Sequence, residues 1–431
     1  MKILIRAGRV IDPARNFDEI ADVAIAAGRI ISVGTAPEGF SPVRIIEAGG
    51  CIVAPGLVDL AVRLREPGHE HEGMLESEMA AAVAGGVTSL VCPPDTDPVL
   101  DEPGLVDMLK FRAEKLHQAR VFPLGALTRG LQGEVLTEMA ELTESGCVGF
   151  SQAEVPLQNT QVLQRALQYA ATYGYSVWLR PQEYHLGQGV AASGPLATRL
   201  GLSGVPVAAE TIALHTILEL VRVTGARVHL CRISSAAGVA LVRAAKQQEL
   251  PVTCDVSINS LHLTDVDIGY FDSRMRLTPP LRQQRDRDAL RQGLADGTID
   301  ALVSDHTPVD EDAKQIPFAE AEPGATGLEL LLGLGLKWGQ QDGVGLVRAL
   351  AVLTCEPARV LGSALGTLQA SAGHLVDGGV ADVCIFDPQA TWTVEPARLR
   401  SQGRHTPFGG HQLQGQVRCT IVGGQVAYEA M

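Results

Sequence analysis

The strongest constraint on the fold is a repeated alternation of strand-like and helix-like segments through the middle of the chain. Helix-like stretches, with apolar residues three to four positions apart, include 104–119, 160–173, 210–223 and 236–248. Apolar runs typical of buried strands begin near Leu57, Val87, Ala119, Cys147, Ser176, Arg227, Val252 and Ala301. Such alternation predicts an α/β fold with parallel strands, and eight repeats predict a (β/α)8 barrel of the TIM type.

The two ends of the chain have a different pattern. Residues 1–54 and 355–431 contain short strand-like segments, and neither end has enough apolar residues to fold comfortably alone. We therefore predict one small β-domain built from both termini, beside a barrel formed by residues 55–354. A doubly wound open sheet is the structural alternative. The absence of a G-x-G-x-x-G turn after the first strand counts against it.

Charge and composition exclude several classes of protein. The net charge of −14 argues against a nucleic-acid partner, which normally requires a clustered basic surface. The eight scattered cysteines form no C-x-x-C pair, which favours free thiols in a reducing compartment. No apolar run is long enough to span a membrane, and the N-terminus lacks a signal-peptide core. We therefore expect a cytoplasmic protein with no membrane partner.

The segment 55–68, PGLVDLAVRLREPG, has the frame of a barrel strand that ends in a tight loop. It resembles the first barrel strand of dihydroorotases, a family of the amidohydrolase superfamily, which carry P-G-x-x-D-x-H-x-H-x-R-x-P-G. The resemblance continues through 84–88, 149–151, 279–282, 304–308, 317–329 and 406–408. It implies a (β/α)8 barrel and, in active relatives, zinc-dependent hydrolysis of a cyclic amide.

The positions that correspond to metal ligands in the family carry other residues here. The two strand-one histidines are replaced by Ala61 and Arg63, and the strand-four ligand by Gln152 or Ala153. The histidines after strands five and six are replaced by Arg180 and Arg232. A catalytic zinc takes about three ligands from His, Cys, Asp or Glu, and a protonated guanidinium has no lone pair to offer. The resemblance therefore predicts no zinc and no other cofactor.

The substrate side of the family site is only partly retained. Arg65, which in relatives helps to hold the substrate carboxylate, is present, whereas two family asparagines are replaced by Asp95 and Thr278. Asp305, the general base in active relatives, survives with its neighbour His306. We expect Arg65, Asp95, Thr278 and His306 to line a pocket. Asp305 is then a relict base, or it forms a structural hydrogen-bonded pair with His306.

Three arginines at the predicted strand ends need counter-charges. Arg63, Arg180 and Arg232 cannot be buried together without partners, because an unpaired buried charge is strongly destabilising. Asp59, Glu183 and Asp305 come from the same strand ends and are the expected partners. A bound anion is the alternative.

These features favour a dihydroorotase-like protein without catalytic activity. Non-catalytic homologues in the family are partner subunits of aspartate carbamoyltransferase, so the resemblance implies an assembly role in de novo pyrimidine biosynthesis. A hetero-oligomer with the catalytic chain of that enzyme is expected, and homodimerisation is a further possibility. Two alternatives remain: a cyclic-amide hydrolase that uses Asp305 as base and requires zinc, and a regulatory module whose arginines bind an anionic metabolite.

Overall fold

The strands of the chain belong to a terminal sheet and a central barrel, as seen in a computed structural model that describes residues 1–430. In chain order they are β1 (Lys2–Asp12), β2 (Phe17–Ala26), β3 (Arg29–Gly34), β4 (Arg44–Glu47), β5 (Ile52–Pro55), β6 (Leu57–Asp59), β7 (Val87–Cys92), β8 (Arg120–Pro123), β9 (Gly125–Ala126), β10 (Phe150–Ser151), β11 (Ser176–Leu179), β12 (Ala191–Ala192), β13 (Gly204–Val205), β14 (Arg227–Leu230), β15 (Val252–Ser257), β16 (Ala301–Val303), β17 (Val383–Thr393), β18 (Gln412–Val422) and β19 (Gln425–Glu429).

The helices alternate with the barrel strands and then follow the last of them. They are α1 (Leu75–Ala84), α2 (Pro103–Lys115), α3 (Met139–Glu144), α4 (Thr160–Tyr173), α5 (Pro195–Leu200), α6 (Val207–Thr224), α7 (Ala236–Gln247), α8 (Ile258–His262), α9 (Gln284–Ala295), α10 (Leu331–Gln341), α11 (Gly345–Ala351) and α12 (Cys355–Leu361).

Local sequence explains the bounds of α4, which match the predicted helix. The Asn159 side chain accepts hydrogen bonds from the backbone N–H groups of Gln161 and Val162, which otherwise have no partner in the first turn. Gly174, with a φ of 74°, ends the helix in the left-handed conformation that glycine adopts easily. The buried face consists of Val162, Leu163, Ala166, Leu167 and Ala170, spaced as a helix requires.

The terminal sheet joins the two ends of the chain, as predicted. Its strand order is β19-β18-β17-β5-β1-β2-β3, with β4 pairing with β1. The junction is antiparallel, with Val383 opposite Pro55 and Ile385 opposite Val53. After the barrel, the next strand of this sheet is β17, which begins at Val383, whereas residues 355–361 form α12. The predicted boundary at residue 355 remains a prediction.

Eight parallel strand positions form the barrel and confirm the predicted fold class. They are β6, β7, β8 with its continuation β9, β10, β11, β14, β15 and β16, and neighbours in this order pair in parallel. The barrel closes between its first and last strands. The Arg63 N–H donates to the His306 carbonyl at 2.9 Å, and the His306 N–H donates to the Ala61 carbonyl at 3.1 Å.

The interior of the barrel is filled below the strand ends. Val58, Leu60, Leu124, Trp178 and Val303 belong to one buried apolar cluster. Ala358 and Leu361 of α12 pack into the same cluster. Since this part of the barrel is packed, the space for chemistry lies at the carboxyl ends of the strands, as in other barrels of this type.

Two further observations bear on the sequence predictions. No helix within residues 1–430 is long and apolar enough to cross a membrane. All eight cysteines are free thiols, and six of them are buried.

Candidate functional site

A cavity of about 420 Å³ opens at the carboxyl ends of the barrel strands. Charged residues from several strand ends line it, and they are Arg63, Arg65, Asp95, Glu154, Arg180, Arg232, Arg276, Asp305 and Glu322. The volume is within the range of small-molecule sites. The unusual property of this cavity is the density of opposite charges on its wall.

Glu154 lies at the centre of this charge cluster. Its Oε1 is 2.7 Å from Nη2 of Arg63 and also accepts a hydrogen bond from Nη2 of Arg232. Its Oε2 is 2.5 Å from Nε of Arg180. The Arg180 Nη2 also donates to the Glu154 carbonyl at 3.3 Å. One carboxylate therefore binds three guanidinium groups that reach it from strands one, five and six.

Two further acids complete the neutralisation. Arg63 Nε donates to Oδ2 of Asp95 at 2.8 Å, and Arg232 Nη1 donates to Oδ1 of Asp305 at 3.0 Å. Three arginines are thus matched by three carboxylates. The side chains of all three arginines are at most 7% exposed, so the cluster is a buried ion network.

The charges in the cluster shift one another's pKa values. Burial alone would raise the pKa of Glu154, but Arg232, Arg180 and Arg63 outweigh it and hold that pKa well below its usual range. Burial raises the pKa of Asp305, against the opposing pull of Arg232 and Arg63. The Glu154 carboxylate is therefore ionised at neutral pH and acts as the counter-ion of the arginines.

The structure corrects two of the three predicted counter-charges. Asp305 is a partner of Arg232, as expected. Asp59 is not a partner, because its Oδ1 accepts from the N–H groups of Ala61 and Ser304, both at 3.2 Å. Glu183 lies beyond the end of its strand, where its Oε2 accepts from the Leu186 N–H at 2.7 Å.

Sequence reasoning missed Glu154 as the main counter-charge. The available signal was its place one residue beyond the strand-four ligand positions, in the same loop. Gln152 points away from the cavity, since its side chain bonds the Thr128 hydroxyl at 3.0 Å and the Leu131 carbonyl at 2.7 Å. Ala153 is buried and Ala61 offers only a methyl group, so no replaced position supplies a metal ligand.

Three of the four predicted pocket residues line the cavity, namely Arg65, Asp95 and Thr278. Arg65 is turned towards the loop that follows it: its Nε is 2.6 Å from Oε2 of Glu72 and donates to the Pro308 carbonyl at 2.8 Å. Asp95 is engaged by Arg63. Two of the three positions on the substrate side of the resembled family's site, Arg65 and Asp95, are therefore occupied by contacts within this chain.

His306 does not reach the cavity. It is fully buried, its Nε2 lies 2.7 Å from Oε2 of Glu78, and its Nδ1 accepts from the Gly327 N–H at 3.1 Å. Asp305 and His306 thus bond different partners, and the structural pair that the sequence suggested does not form. Both residues lie beyond the end of β16, and the backbone turns at Asp305, which has a φ of 52°; Asp305 faces the cavity and His306 faces α1.

Comparison with known proteins agrees with these features. The profile of the dihydro-orotase-like family matches residues 50–237. A dihydroorotase-like protein of Pseudomonas aeruginosa is 44% identical over 430 residues, covering 100% of each chain. The chain belongs to the dihydroorotase-like family. A protein of Geobacter sp. (strain M21) named dihydroorotase is 40% identical, again covering 100% of each chain.

Solved structures confirm the fold. The L-hydantoinase (dihydropyrimidinase) from Arthrobacter aurescens superposes with a TM-score of 0.88, covering 99% of this chain and 96% of its own, at 23% identity. At that level of identity the likeness concerns the fold alone. This member of the dihydroorotase-like family therefore has the amidohydrolase-type barrel with a β-domain from both termini.

The donor groups of this dihydroorotase-like chain do not fit a catalytic zinc. The positions that would supply ligands carry two alanines, a glutamine turned away and three guanidinium groups. Within the described part of the chain, one cluster has metal-ligating side chains close together, formed by His229, Cys231 and Asp255. Its donors are engaged: His229 bonds the Thr253 hydroxyl at 2.8 Å and Asp255 at 2.9 Å, and Asp255 accepts from the Arg232 N–H at 2.6 Å.

The backbone at the site is strained in a way that the sequence does not reveal. Arg65, Ala153, Arg232 and Asp305 have φ values of 64°, 50°, 55° and 52°, in the left-handed region that non-glycine residues avoid. Each such residue costs roughly 1 kcal/mol, and such positions concentrate at active sites. Within residues 1–430, four of the eleven non-glycine residues with positive φ therefore lie at the strand ends around the cavity.

Asp59 gives a prediction about pH. Its side chain is completely buried, and Oδ2 has no hydrogen-bond partner among residues 1–430. Burial raises the pKa of Asp59 to about 7. A carboxyl group whose pKa is raised in the folded state stabilises the fold while it is protonated. This stabilisation is lost as pH rises from about 4 to about 7.

Replacing Asp59 by asparagine should remove this pH dependence. We expect the unfolding free energy of Asp59→Asn minus that of the wild type to increase between pH 4 and 7, by up to about 1.4 kcal/mol per pH unit. Urea unfolding of both proteins across this range measures the difference. Two stability curves that run parallel would show that folding does not raise the pKa of Asp59.

Proposed function

We propose that this chain is a non-catalytic member of the dihydroorotase-like family that acts as an assembly subunit for aspartate carbamoyltransferase in pyrimidine biosynthesis. We infer the loss of catalysis from the buried cluster in which Glu154 binds Arg63, Arg180 and Arg232. Three arginines and their counter-ions fill the place where the resembled enzymes hold a metal. The role with aspartate carbamoyltransferase comes from the resemblance to non-catalytic homologues.

Electrostatics support the loss of the metal. At an effective dielectric constant of 20, a divalent cation and one guanidinium about 5 Å apart repel each other by roughly 6–7 kcal/mol before screening. Arg63, Arg180 and Arg232 also engage the carboxylates of Asp95, Glu154 and Asp305, so a metal ion could use these carboxylates only by displacing guanidinium groups that repel it. Asp305, the expected base of an active hydrolase, is bonded to Arg232. These contacts weigh against the alternative of an active cyclic-amide hydrolase.

A subunit without catalysis still requires a stable surface. The barrel closes through backbone hydrogen bonds between its first and last strands, and the apolar interior below the site is fully packed. Neither feature uses a metal, so loss of the ligands leaves the fold intact. Stable protein interfaces bury roughly 1,200–2,000 Å². We propose that exposed helices and loops, and not the cavity, supply this area.

The first test is the metal content and activity of the purified chain. We expect less than stoichiometric zinc by elemental analysis, and no hydrolysis of dihydroorotate above background when Zn²⁺ is added. An active dihydroorotase assayed in parallel serves as the control. The double variant Ala61→His with Arg63→His should remain inactive, because strands four to six still lack ligands. About one tightly held zinc per wild-type chain, or clear turnover, would contradict the proposal.

The second test addresses the partner. We expect the chain to co-elute on gel filtration with the catalytic chain of aspartate carbamoyltransferase from the same organism. The carbamoyltransferase chain should reach a different assembly when expressed without it. Identical assembly, stability and activity of that enzyme in both cases, with no co-elution, would show that the assembly role is wrong.

A further inference from the structure

One positive charge on the cavity wall has no counter-charge. Five guanidinium groups line the cavity, and four of them have a carboxylate within 4.0 Å, namely those of Arg63, Arg65, Arg180 and Arg232. The fifth, Arg276, has none among the residues that the structure describes. Its Nε atom is buried and makes no hydrogen bond within the same residues. The Arg276 side chain is partly buried, and a partly desolvated guanidinium without a counter-charge favours an anion beside it.

Two uncommitted polar side chains line the same cavity. Asn259 is only 4% exposed, and Thr278 is two residues after Arg276 in the chain. In the described chain, neither side chain hydrogen-bonds to another residue. An amide N–H and a hydroxyl are suitable donors for anionic oxygens. All three residues come from the segment that follows strand β15.

The surrounding charges do not satisfy Arg276. Lys314 donates from Nζ to the Arg276 carbonyl at 2.8 Å, and burial lowers the pKa of Lys314 to about 7, so this neighbour supplies no negative charge to Arg276. Glu322 also lines the cavity, but its side chain is 43% exposed and its nearest cation is Arg65, at 4.0 Å. The local balance therefore remains positive at Arg276.

We propose that this part of the cavity binds a small carboxylate or phosphate anion, with Arg276 as its counter-ion and Asn259 and Thr278 as hydrogen-bond donors. The site shares Thr278 with the substrate pocket implied by the family resemblance, but its counter-ion is Arg276 and not Arg65, which Glu72 engages. A planar guanidinium binds either type of anion with two parallel hydrogen bonds. The inference does not depend on the assembly role.

Calorimetric titration of the full chain at low ionic strength tests the site. The probes are inorganic phosphate and succinate, with succinamide as a neutral analogue. We expect at least one anion to bind and succinamide not to bind. Arg276→Gln should weaken binding at least about tenfold, since a hydrogen bond to a charged group contributes roughly that factor or more. The matched control Arg285→Gln, at a position that is 74% exposed on α9, should bind as the wild type does.

An unfolding measurement and a further variant separate loss of binding from loss of folding. Because Arg276 has no partner in the chain, Arg276→Gln should unfold at the wild-type temperature, or above it, when no anion is added. Thr278→Val should also weaken binding while retaining the shape of the side chain. Binding of neither anion by the wild type would overturn the proposal, as would equal affinities for the wild type and Arg276→Gln. Either result would leave the co-elution test of the assembly role unaffected.

Discussion

Replacement of Glu154 by leucine is expected to lower the free energy of unfolding by about 3–5 kcal/mol. Removing one partner of a buried ion network leaves the other charges without compensation, and costs of this size are typical. Glu154 is the common partner of Arg63, Arg180 and Arg232, so a single substitution affects all three. One third of its side chain faces cavity water, which places the expected loss towards the lower end of the range.

Urea unfolding of Glu154→Leu, with Glu183→Leu as the matched control, measures this effect. Glu183 comes from the next strand end but contacts no arginine of the cluster, and its replacement should cost less than about 1 kcal/mol. The difference between wild type and Glu154→Leu should shrink at acid pH. The pKa of Glu154 is lowered in the folded state, so its contribution is lost as pH falls through that value. Equal losses for the two variants would show that the cluster does not hold the strand ends together.

The sequence predicted the barrel well because each element carries its own signal. Seven of the eight expected strand starts lie within one residue of an observed start, and the fourth strand begins at Phe150 instead of near Cys147. The helix at 160–173 is bounded by Asn159 and Gly174, whose capping roles follow from residue type. The pairing of the two termini was predicted because neither end has enough apolar residues to form a core alone. These are local patterns, and the structure retains them.

The contacts inside the cavity could be predicted only in part. Sequence placed Arg63, Arg180 and Arg232 at neighbouring strand ends, but several acids were within reach of them. Which acid pairs with the arginines depends on the directions of side chains that are far apart in the sequence. Arg63 and its partner Glu154, for example, are 91 positions apart. The different partners of Asp305 and His306 did not follow from strand alternation, because both residues lie beyond the end of β16 and Asp305 has a φ of 52°. That Arg276 has no counter-charge could be seen only in the structure, because no sequence pattern indicates a missing partner.

Replacement of Glu78 by glutamine is expected to lower the free energy of unfolding by roughly 3 kcal/mol. Glu78 is fully buried in α1; its Oε2 accepts from His306 Nε2 at 2.7 Å and from the Ser401 hydroxyl at 2.6 Å. Its Oε1 accepts from the Gln402 N–H at 2.9 Å and from the Ser77 hydroxyl at 2.8 Å. His306 accepts at Nδ1, so its proton is on Nε2 and points at Glu78. In either orientation, a glutamine amide would face another N–H group.

The matched control is Glu76→Gln, on an exposed position of the same helix, which should change stability by less than about 0.5 kcal/mol. Burial alone would raise the pKa of Glu78, but the hydrogen bonds from His306 and Ser401 outweigh it and lower that pKa. The stabilisation is therefore present above the unfolded pKa and is lost as pH falls through the folded value. Unfolding of both variants at pH 7 and at pH 4 measures this trend. Because Glu78 joins strand eight, α1 and the segment at 401–402, a loss below 1 kcal/mol at pH 7 would show that these three parts are held together by apolar packing instead.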